Sequence, residues 1–236
     1  MAIVYALLCL VFAALNDLLF KFFARKPRSR GIFVAIIGIV WLAVVAVGVK
    51  TDEVVWGPTL CWGLISGMFS VTGNLLLIEA MGRLGAGLCS TVYRLNLVPV
   101  AIGAALLLDE KLARHQWFGV GFAVLAVLAF WPRSRLPHPA GGHRPLRVAF
   151  AMIILAALLR AGMGLSYRYG FLHEADRATV TAINALCWIG VGLAYAGFRE
   201  KHDGAPLNLR MIGYGILSGV LVGGISITMS MSLKYG

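Results

Sequence analysis

Long apolar runs separated by short polar loops dominate the sequence. Eight runs have the length of a membrane span, roughly 20 residues at 1.5 Å rise per residue. They cover residues 3–23, 32–49, 57–81, 86–108, 115–131, 146–167, 178–198 and 209–233. Polar and apolar positions do not alternate within them, as they do in the strands of a membrane barrel. Because backbone groups in lipid must be satisfied within the protein, each run is predicted to form a helix.

The second half of the chain repeats the first. Three pairs of segments match in the same order along the chain. Two pairs are offset by 147 positions: Leu18-x-Phe20-Lys21-Phe22 with Leu165-x-Tyr167-Arg168-Tyr169, and Ala35-Ile36-x4-Trp41 with Ala182-Ile183-x4-Trp188. The third pair is offset by 152 positions: Gly63-x2-Ser66-Gly67 with Gly215-x2-Ser218-Gly219. The offset changes in the polar loop 199–208, where an insertion is tolerated. The unit contains about five helices, and an odd number inverts the second copy across the membrane. Inverted repeats are typical of secondary transporters, whose substrate site lies near the midplane between the repeats.

These patterns predict an all-α, polytopic membrane helical bundle, built as an inverted repeat of five-helix units with eight helices present. Residues 1–132 are expected to form the first repeat, 133–145 a basic connecting loop, and 146–236 the first three helices of the second repeat. Counterparts of residues 86–131 do not follow, so we expect either a fragment or a natural short form. The flank beside the eighth helix should then be open, with Ser226, Thr228 or Ser230 poorly covered.

Composition and charge agree with a membrane protein. Hydrophobic residues make up 60% of the chain and charged residues 13%, about half the charge of a soluble domain. The net charge of +11 would suit a nucleic acid, but twelve Lys and Arg residues lie in or beside odd-numbered loops and five beside even-numbered ones. This positive-inside bias predicts cytoplasmic odd-numbered loops in a multi-pass protein of the cell (cytoplasmic or inner) membrane. The lipid bilayer is the expected partner, and nucleic acid is not.

The first half resembles a known family. The motif Ala80-Met81, then Pro99, then Glu110-x5-Gln116-x2-Gly119 is similar to the EamA domain of the drug/metabolite transporter superfamily. The resemblance implies two five-helix repeats, a proline that breaks the fourth helix, and transport of small metabolites, often export. For Glu110 a capping role at the start of the fifth span is favoured over a role in transport.

Four charged positions inside the predicted spans stand out, because charge there is costly and needs a partner or a wet cavity. Arg94 is expected either in a substrate cavity or in an ion pair with Glu79. Arg160 is expected either in that cavity or bonded to backbone carbonyls between helices. Asp17 can pair with Lys21 four residues on, or act with Glu79 as a membrane carboxylate that exchanges a proton during transport.

Uncharged residues complete the predicted substrate site. Tyr93 and Asn96 lie three residues apart on the helix face next to that of Arg94. Asn74 and Asn184 are either ligand contacts or bonds between helices. Trp188 and its repeat equivalent Trp41 are either interface anchors or cavity walls.

Several functional classes lack support in the sequence. There is no Walker loop or HExxH motif, and the four cysteines have no zinc-ligand spacing. We therefore expect no metal, no cofactor and no enzymatic activity. The predicted function is secondary transport of a small-molecule metabolite, as proton-coupled export. The alternatives are a non-transporting membrane assembly component or an inactive fragment of a transporter, and a homodimer would close the flank next to the eighth helix.

Overall fold

Helices account for the regular structure of the described residues. The computed structural model describes residues 1–26, 28–49, 54–107, 114–129, 143–200 and 208–235. Within these ranges it contains no strand and nine helices: α1 Ala2–Ala24, α2 Arg30–Ala46, α3 Trp56–Arg83, α4 Ala86–Arg94, α5 Leu97–Leu107, α6 Arg114–Ala129, α7 His143–Leu172, α8 Arg177–Arg199 and α9 Leu209–Tyr235. The predicted all-α fold class is confirmed. Glu110 and most of the loop predicted at 133–145 lie outside the described residues.

The fourth predicted span is a broken helix made of α4 and α5. The break falls at Leu95 and Asn96, three residues before Pro99. Proline has no N–H, and its ring clashes with the carbonyl of the fourth residue before it, which here is Leu95. The predicted proline break is therefore present. It lies three to four residues before Pro99, because the proline ring clashes with the carbonyl of Leu95.

The helices have membrane proportions. Six spans are long and apolar enough to cross a bilayer, with α4 and α5 counted together, whereas α2 and the apolar part of α6, Trp117–Ala126, are shorter. Along α1, Leu7, Val11 and Leu18 are each more than half exposed. Such an apolar outer surface is suited to lipid. The chain is thus a multi-pass membrane protein.

Helix packing follows the sequence repeat, in which α1, α2 and α3 correspond to α7, α8 and α9. α1 packs on α9, and α7 packs on α3; α2 packs on α9, and α8 packs on α3. If each helix is replaced by its repeat equivalent, the α1–α9 contact becomes the α7–α3 contact, and the α2–α9 contact becomes the α8–α3 contact. The remaining large contact joins α2 to α8, which are equivalents of each other. This is the pattern that a two-fold relation between the copies produces.

The α2–α8 contact marks the axis of that relation. Equivalent residues meet there: the rings of Trp41 and Trp188 form an edge contact with centroids 5.8 Å apart. A Cβ added to Gly38 would lie 2.9 Å from the carbonyl oxygen of Ala185, its equivalent. The start of α2 lies beside the end of α8, since a Cβ on Gly31 would come within 2.5 Å of the backbone of Ala196. The two equivalent helices are therefore antiparallel, as an inverted repeat requires.

Matching residues also begin these two helices. The Ser29 hydroxyl accepts a hydrogen bond from the amide of Ile32 at the start of α2. The Asp176 carboxylate accepts one from the amide of Thr179 at the start of α8. Both are N-caps, which satisfy an amide that the helix itself leaves free. They lie at the 147-position offset, so the repeat extends to the helix ends.

The expected poor coverage of α9 is wrong for two of its three residues. Ser226 and Thr228 are each only 8% exposed. The Thr228 hydroxyl donates to the carbonyl oxygen of Gly224 at 2.7 Å. α9 packs on both α1 and α2, which cover the face carrying these side chains. The side chain of Ser230 lies outside the described residues.

Candidate substrate-binding site

A partly enclosed polar cavity lies between the two repeats. Its volume is about 40 Å³, enough for about three water molecules but not for a metabolite. Residues from α1, α2, α3, α4, α7, α8 and α9 line it: Ala13, Asn16, Asp17, Trp41, Ser70, Asn74, Tyr93, Arg94, Arg160, Met163, Tyr167, Trp188, Val222, Ile225, Ser226 and Met229. In this conformation a larger substrate can enter only if helices separate.

Equivalent positions of the two repeats face each other across this cavity. Five equivalent pairs contribute both members to the lining: Ala13 and Arg160, Asn16 and Met163, Trp41 and Trp188, Ser70 and Val222, and Asn74 and Ser226. The cavity therefore lies on the pseudo-two-fold axis. Within each pair the chemistry differs, so the site itself is asymmetric.

An ion pair between α1 and α4 forms one wall. Arg94 donates to the Asp17 carboxylate at 2.8 Å, and the Asp17 side chain is only 7% exposed. The expected pairing of Asp17 with Lys21 is wrong. The Lys21 ammonium instead donates to the carbonyl oxygens of Met81 and Leu84, at 2.7 and 3.0 Å, at the end of α3. These carbonyls are otherwise free at a helix terminus, and a lysine reaches them along the helix edge.

Glu79 lies outside the cavity lining. Its carboxylate pairs with Arg30 at 3.3 Å and with Arg83 at 3.1 Å. The expected ion pair between Arg94 and Glu79 is therefore wrong. Glu79 is in the last two turns of α3, where arginines at the helix ends reach it, whereas Arg94 turns inward to the more deeply buried Asp17. The structure thus separates the two carboxylates that the sequence grouped together.

Arg160 contributes a second positive charge to the cavity. Among the described residues it forms no ion pair, and its Nη1 donates only to the sulfur of Met163 at 3.3 Å. Its charge nevertheless attracts that of Asp17. The ionic lining consists of Asp17, Arg94 and Arg160, and so carries one net positive charge.

The two tryptophans on the axis differ in hydrogen bonding. The Trp188 indole donates to the hydroxyl of Ser70 at 3.1 Å. The position equivalent to Ser70 is Val222, which has no acceptor. In the described part of the chain the buried Nε1 of Trp41 accordingly has no partner. A substitution in one repeat has left a free donor at the cavity.

Tyr93 and Asn74 lie together at the cavity. Tyr93 is 4% exposed, and no described side chain completes a hydrogen bond to its hydroxyl, although the Asn74 amide is beside it. Asn74 uses one of its two amide N–H groups to donate to the carbonyl oxygen of Ser70 at 2.8 Å. The other lies beside the Tyr93 oxygen, so the Tyr93 O–H remains a second donor that has no acceptor among the described residues.

Like Glu79, two of the uncharged predicted site residues lie outside the cavity lining. Asn184 is fully buried between α3, α7 and α8, where it accepts from the Ser66 hydroxyl at 2.9 Å and donates to the Tyr167 hydroxyl. Asn96 lies at the α4–α5 break, where its side-chain amide, oriented to satisfy its neighbours, donates to the carbonyl oxygens of Tyr93 and Arg94 at 3.1 Å. Asn184 thus forms hydrogen bonds between helices, and Asn96 satisfies backbone carbonyls at the helix break. The other uncharged residues predicted for the site, Asn74, Tyr93 and Trp188, line the cavity.

Sequence reasoning missed several lining residues. Ser70 and Met163 were not singled out, and Ser226 was expected on an open flank. A signal existed, since Ser226 is the repeat equivalent of Asn74 and Met163 lies three residues after Arg160 on α7. No group of His, Cys, Asp and Glu among the described residues is suited to a metal ion.

A multi-pass α-helical bundle with a polar, charged cavity on the axis between two inverted repeats defines the class of repeat-built membrane transporters. A family model, the EamA-like transporter family, matches residues 1–131, more than half of the chain. The chain belongs to the EamA-like transporter family. No curated protein matches it.

Proposed function

We propose that the protein is a secondary transporter of a small metabolite and that the substrate binds in the cavity between the repeats. The supporting observation is the Asp17–Arg94 ion pair in the polar cavity on the pseudo-two-fold axis, in which the Asp17 side chain is 7% and the Arg94 side chain 34% exposed. Burying the carboxylate of such a pair costs free energy that apolar packing would not. In a transporter the cavity opens to water on one side of the membrane and then on the other. A charged pair in its wall can then bind a polar substrate, which gives the pair a function.

We infer that Asp17 couples transport to protons. Its carboxylate faces Arg94 on α4 and Arg160 on α7, and the groups nearby on α3 and α9 are uncharged. If a substrate draws Arg94 away, the Asp17 carboxylate is left without its closest counter-charge in a membrane interior. Uptake of a proton neutralises it, because an unpaired buried charge is costly. Release of the substrate restores the ion pair and expels the proton.

For the orientation, we propose that the end of the bundle carrying residues 28–30 and 199–200 faces the cytoplasm of a cell membrane. The positive-inside bias supports this. In this mechanism the proton and the metabolite cross the membrane in the same direction, so export from the cytoplasmic side is driven by the outward concentration gradient of the metabolite. Labelling of introduced cysteines at residues 25–30 by an impermeant reagent in intact cells would show the reverse orientation.

Metabolite profiling tests the function. Cells expressing the wild-type chain, Arg94→Gln or Arg83→Gln are compared with cells lacking the gene, in extract and in medium. Arg83 also pairs with a carboxylate, but outside the cavity, and so serves as the matched control. The proposal predicts a small metabolite whose distribution changes with wild type and with R83Q but not with R94Q. A wild-type profile identical to that of cells without the gene would refute it.

Asp17→Asn tests the proton coupling in the same assay. The asparagine amide retains the shape of the aspartate side chain but does not gain or lose a proton at the pH values of the medium. Transport by wild type is expected to change with the pH of the medium, and transport by D17N is expected to be slower and independent of it. If D17N transports with the wild-type pH dependence, the proton is carried elsewhere.

A further inference from the structure

The cavity has more positive than negative charge. Arg94 and Arg160 contribute two guanidinium groups and Asp17 one carboxylate. Asp17 is engaged with Arg94 at 2.8 Å. Arg160 has five N–H donors, yet among the described residues its one acceptor is the Met163 sulfur, and a thioether accepts weakly. The described residues thus leave most of the donor capacity of Arg160 unused.

Two neutral groups extend this donor excess. The Trp41 indole and the Tyr93 hydroxyl belong to residues that are 2% and 4% exposed, and neither the N–H nor the O–H has an acceptor in the described part of the chain. Buried polar groups are nearly always hydrogen-bonded, so two free ones at one cavity call for an explanation. An indole is a donor only. A ligand that accepts hydrogen bonds would satisfy both groups.

We propose that the cavity binds the oxyanion group, carboxylate or phosphate, of a small metabolite, with Arg160 as its principal cation and Trp41 and Tyr93 as neutral donors. An oxyanion has only acceptors and pairs with guanidinium through short, charge-assisted hydrogen bonds. The 40 Å³ of space admits such a group, while the remainder of the metabolite requires the helices to separate. A neutral or cationic ligand would leave Arg160 unbalanced.

This inference names the substrate class of the proposed transport site and rests on that function, but binding can be measured without transport. The purified protein is placed in nanodiscs of phosphatidylcholine, and thermal unfolding is followed with matched probes: succinate against succinamide, and glycerol 3-phosphate against glycerol. A ligand that binds only the folded state raises the midpoint Tm in a concentration-dependent way. An anionic probe is expected to raise Tm, and its neutral partner is not.

Substitutions of Arg160 locate the site. Arg160→Gln is expected to weaken anion affinity about ten- to a hundredfold, the usual effect of losing a hydrogen bond to a charged group. Arg160→Lys retains the charge and should recover most of the preference for anions over neutral probes. Arg147→Gln, on the exposed surface of the same helix, should bind like wild type. The unliganded Tm of each variant shows whether it folds.

Four results would overturn the inference. They are equal stabilisation by neutral and anionic probes, no stabilisation by any probe, wild-type affinity in R160Q, and an Arg160-dependent rise in Tm on adding phosphatidylglycerol without any metabolite. The last would assign the site to a lipid headgroup. A protein that binds the anions through Arg160 but transports no metabolite in cells would contradict the proposed function and leave the anion site standing.

Discussion

At the scale of single residues, the chemistry of the site comes from differences between equivalent positions. Ser70 accepts from Trp188, and its equivalent Val222 leaves Trp41 free. Arg160 faces the cavity where its equivalent is Ala13. The two-fold relation supplies the shape of the cavity, and the departures from it supply the charge and the free donors.

The two tryptophans provide a matched pair of substitutions. Trp188→Phe removes the hydrogen bond to Ser70 and leaves that hydroxyl without the indole donor, whereas Trp41→Phe removes an N–H that has no partner. Both rings are buried and lose the same atoms. We expect W188F to lower the free energy of unfolding by about 1 kcal/mol more than W41F does. Denaturant unfolding in detergent micelles measures this difference, and equal losses in the two variants would mean that the Ser70 bond contributes nothing.

The sequence predicted the members of the site better than their partners. Hydropathy alone shows that Asp17, Arg94 and Arg160 lie inside apolar spans, and all three do line the cavity. Helical spacing made Lys21 the neighbour of Asp17, and a shared loop made Glu79 the neighbour of Arg94. Both pairings failed because the choice of ion-pair partner depends on which helices meet. The contact between α1 and α4 leaves no trace in the spacing of residues along either helix.

At the scale of helices, glycines set how closely α2 and α8 approach. A Cβ added to Gly192 would lie 2.7 Å from the backbone nitrogen of Ala35 and 2.8 Å from the carbonyl oxygen of Gly31. Backbone atoms cannot rotate away, so the helices would have to move apart. Small residues at such contacts permit close packing in membranes. Gly63 and Gly67 of α3 allow the same close approach to α8, and Gly215, Gly219 and Gly223 of α9 allow it to α2.

Two glycines on α8 test this packing. Gly192→Ala is expected to destabilise the protein by about 1–3 kcal/mol, the usual cost of overpacking. Gly190→Ala meets no atom within 4 Å, and replaces glycine with a better helix former. It should therefore leave stability unchanged or raise it slightly. The melting temperatures of the two variants in detergent test this expectation. If G192A is as stable as G190A, α2 and α8 are not packed closely enough for the added methyl group to clash.

Helices were predictable because membrane spans are long and continuous. The predicted span 86–108 corresponds to α4 and α5, and its proline correctly indicated a break. The start of α7 at His143 was not predicted, because the polar residues before 146 resemble a loop in composition. Polar residues at the end of a membrane helix lie outside the apolar pattern, which is the only signal that hydropathy provides.

At the scale of the whole molecule, the two ends of the bundle differ. At the end near residue 200, the Glu200 carboxylate accepts from the Ser29 hydroxyl at 2.5 Å and from the amide of Arg30 at 2.7 Å. These bonds join the end of α8 to the start of α2. At the opposite end, an apolar pocket of about 290 Å³ between α2, α8 and α9 shares Ser226 with the polar cavity. The cavity is thus closed towards the predicted cytoplasmic end and lies next to open space at the other.

Removing the Glu200 contacts should favour opening at that end. Glu200→Ala removes charge-assisted bonds and an anion at the start of a helix. A loss of about 1–2 kcal/mol from the closed state shifts its population five- to thirtyfold. In inverted vesicles, a cysteine at Ser226 should then react faster with an impermeant maleimide. Glu174→Ala, in the turn that precedes α8 at the opposite end of that helix, is the control. An unchanged labelling rate in E200A would show that Glu200 does not hold this end closed.

The repeat made the overall arrangement partly predictable. The 147-position offset identified Trp41 and Trp188 as equivalents, and an inverted repeat places its site on the axis between copies. The sequence does not show that these two residues touch each other. Nor does it show that the axis passes between α2 and α8. A repeat offset states which residues are equivalent but not which helices lie closest to the axis.

The central claim, that the cavity on the pseudo-two-fold axis binds the transported metabolite, is tested most directly by protection of a cysteine in its wall. In a variant whose four native cysteines are replaced, Ser226→Cys is labelled with a small maleimide in the presence and absence of the metabolite identified by profiling. Gly57→Cys, at the open end of α3, is the control. We predict that the metabolite slows labelling of S226C in proportion to its concentration and leaves G57C unaffected. Labelling of S226C at the same rate with a saturating metabolite would contradict this placement of the site.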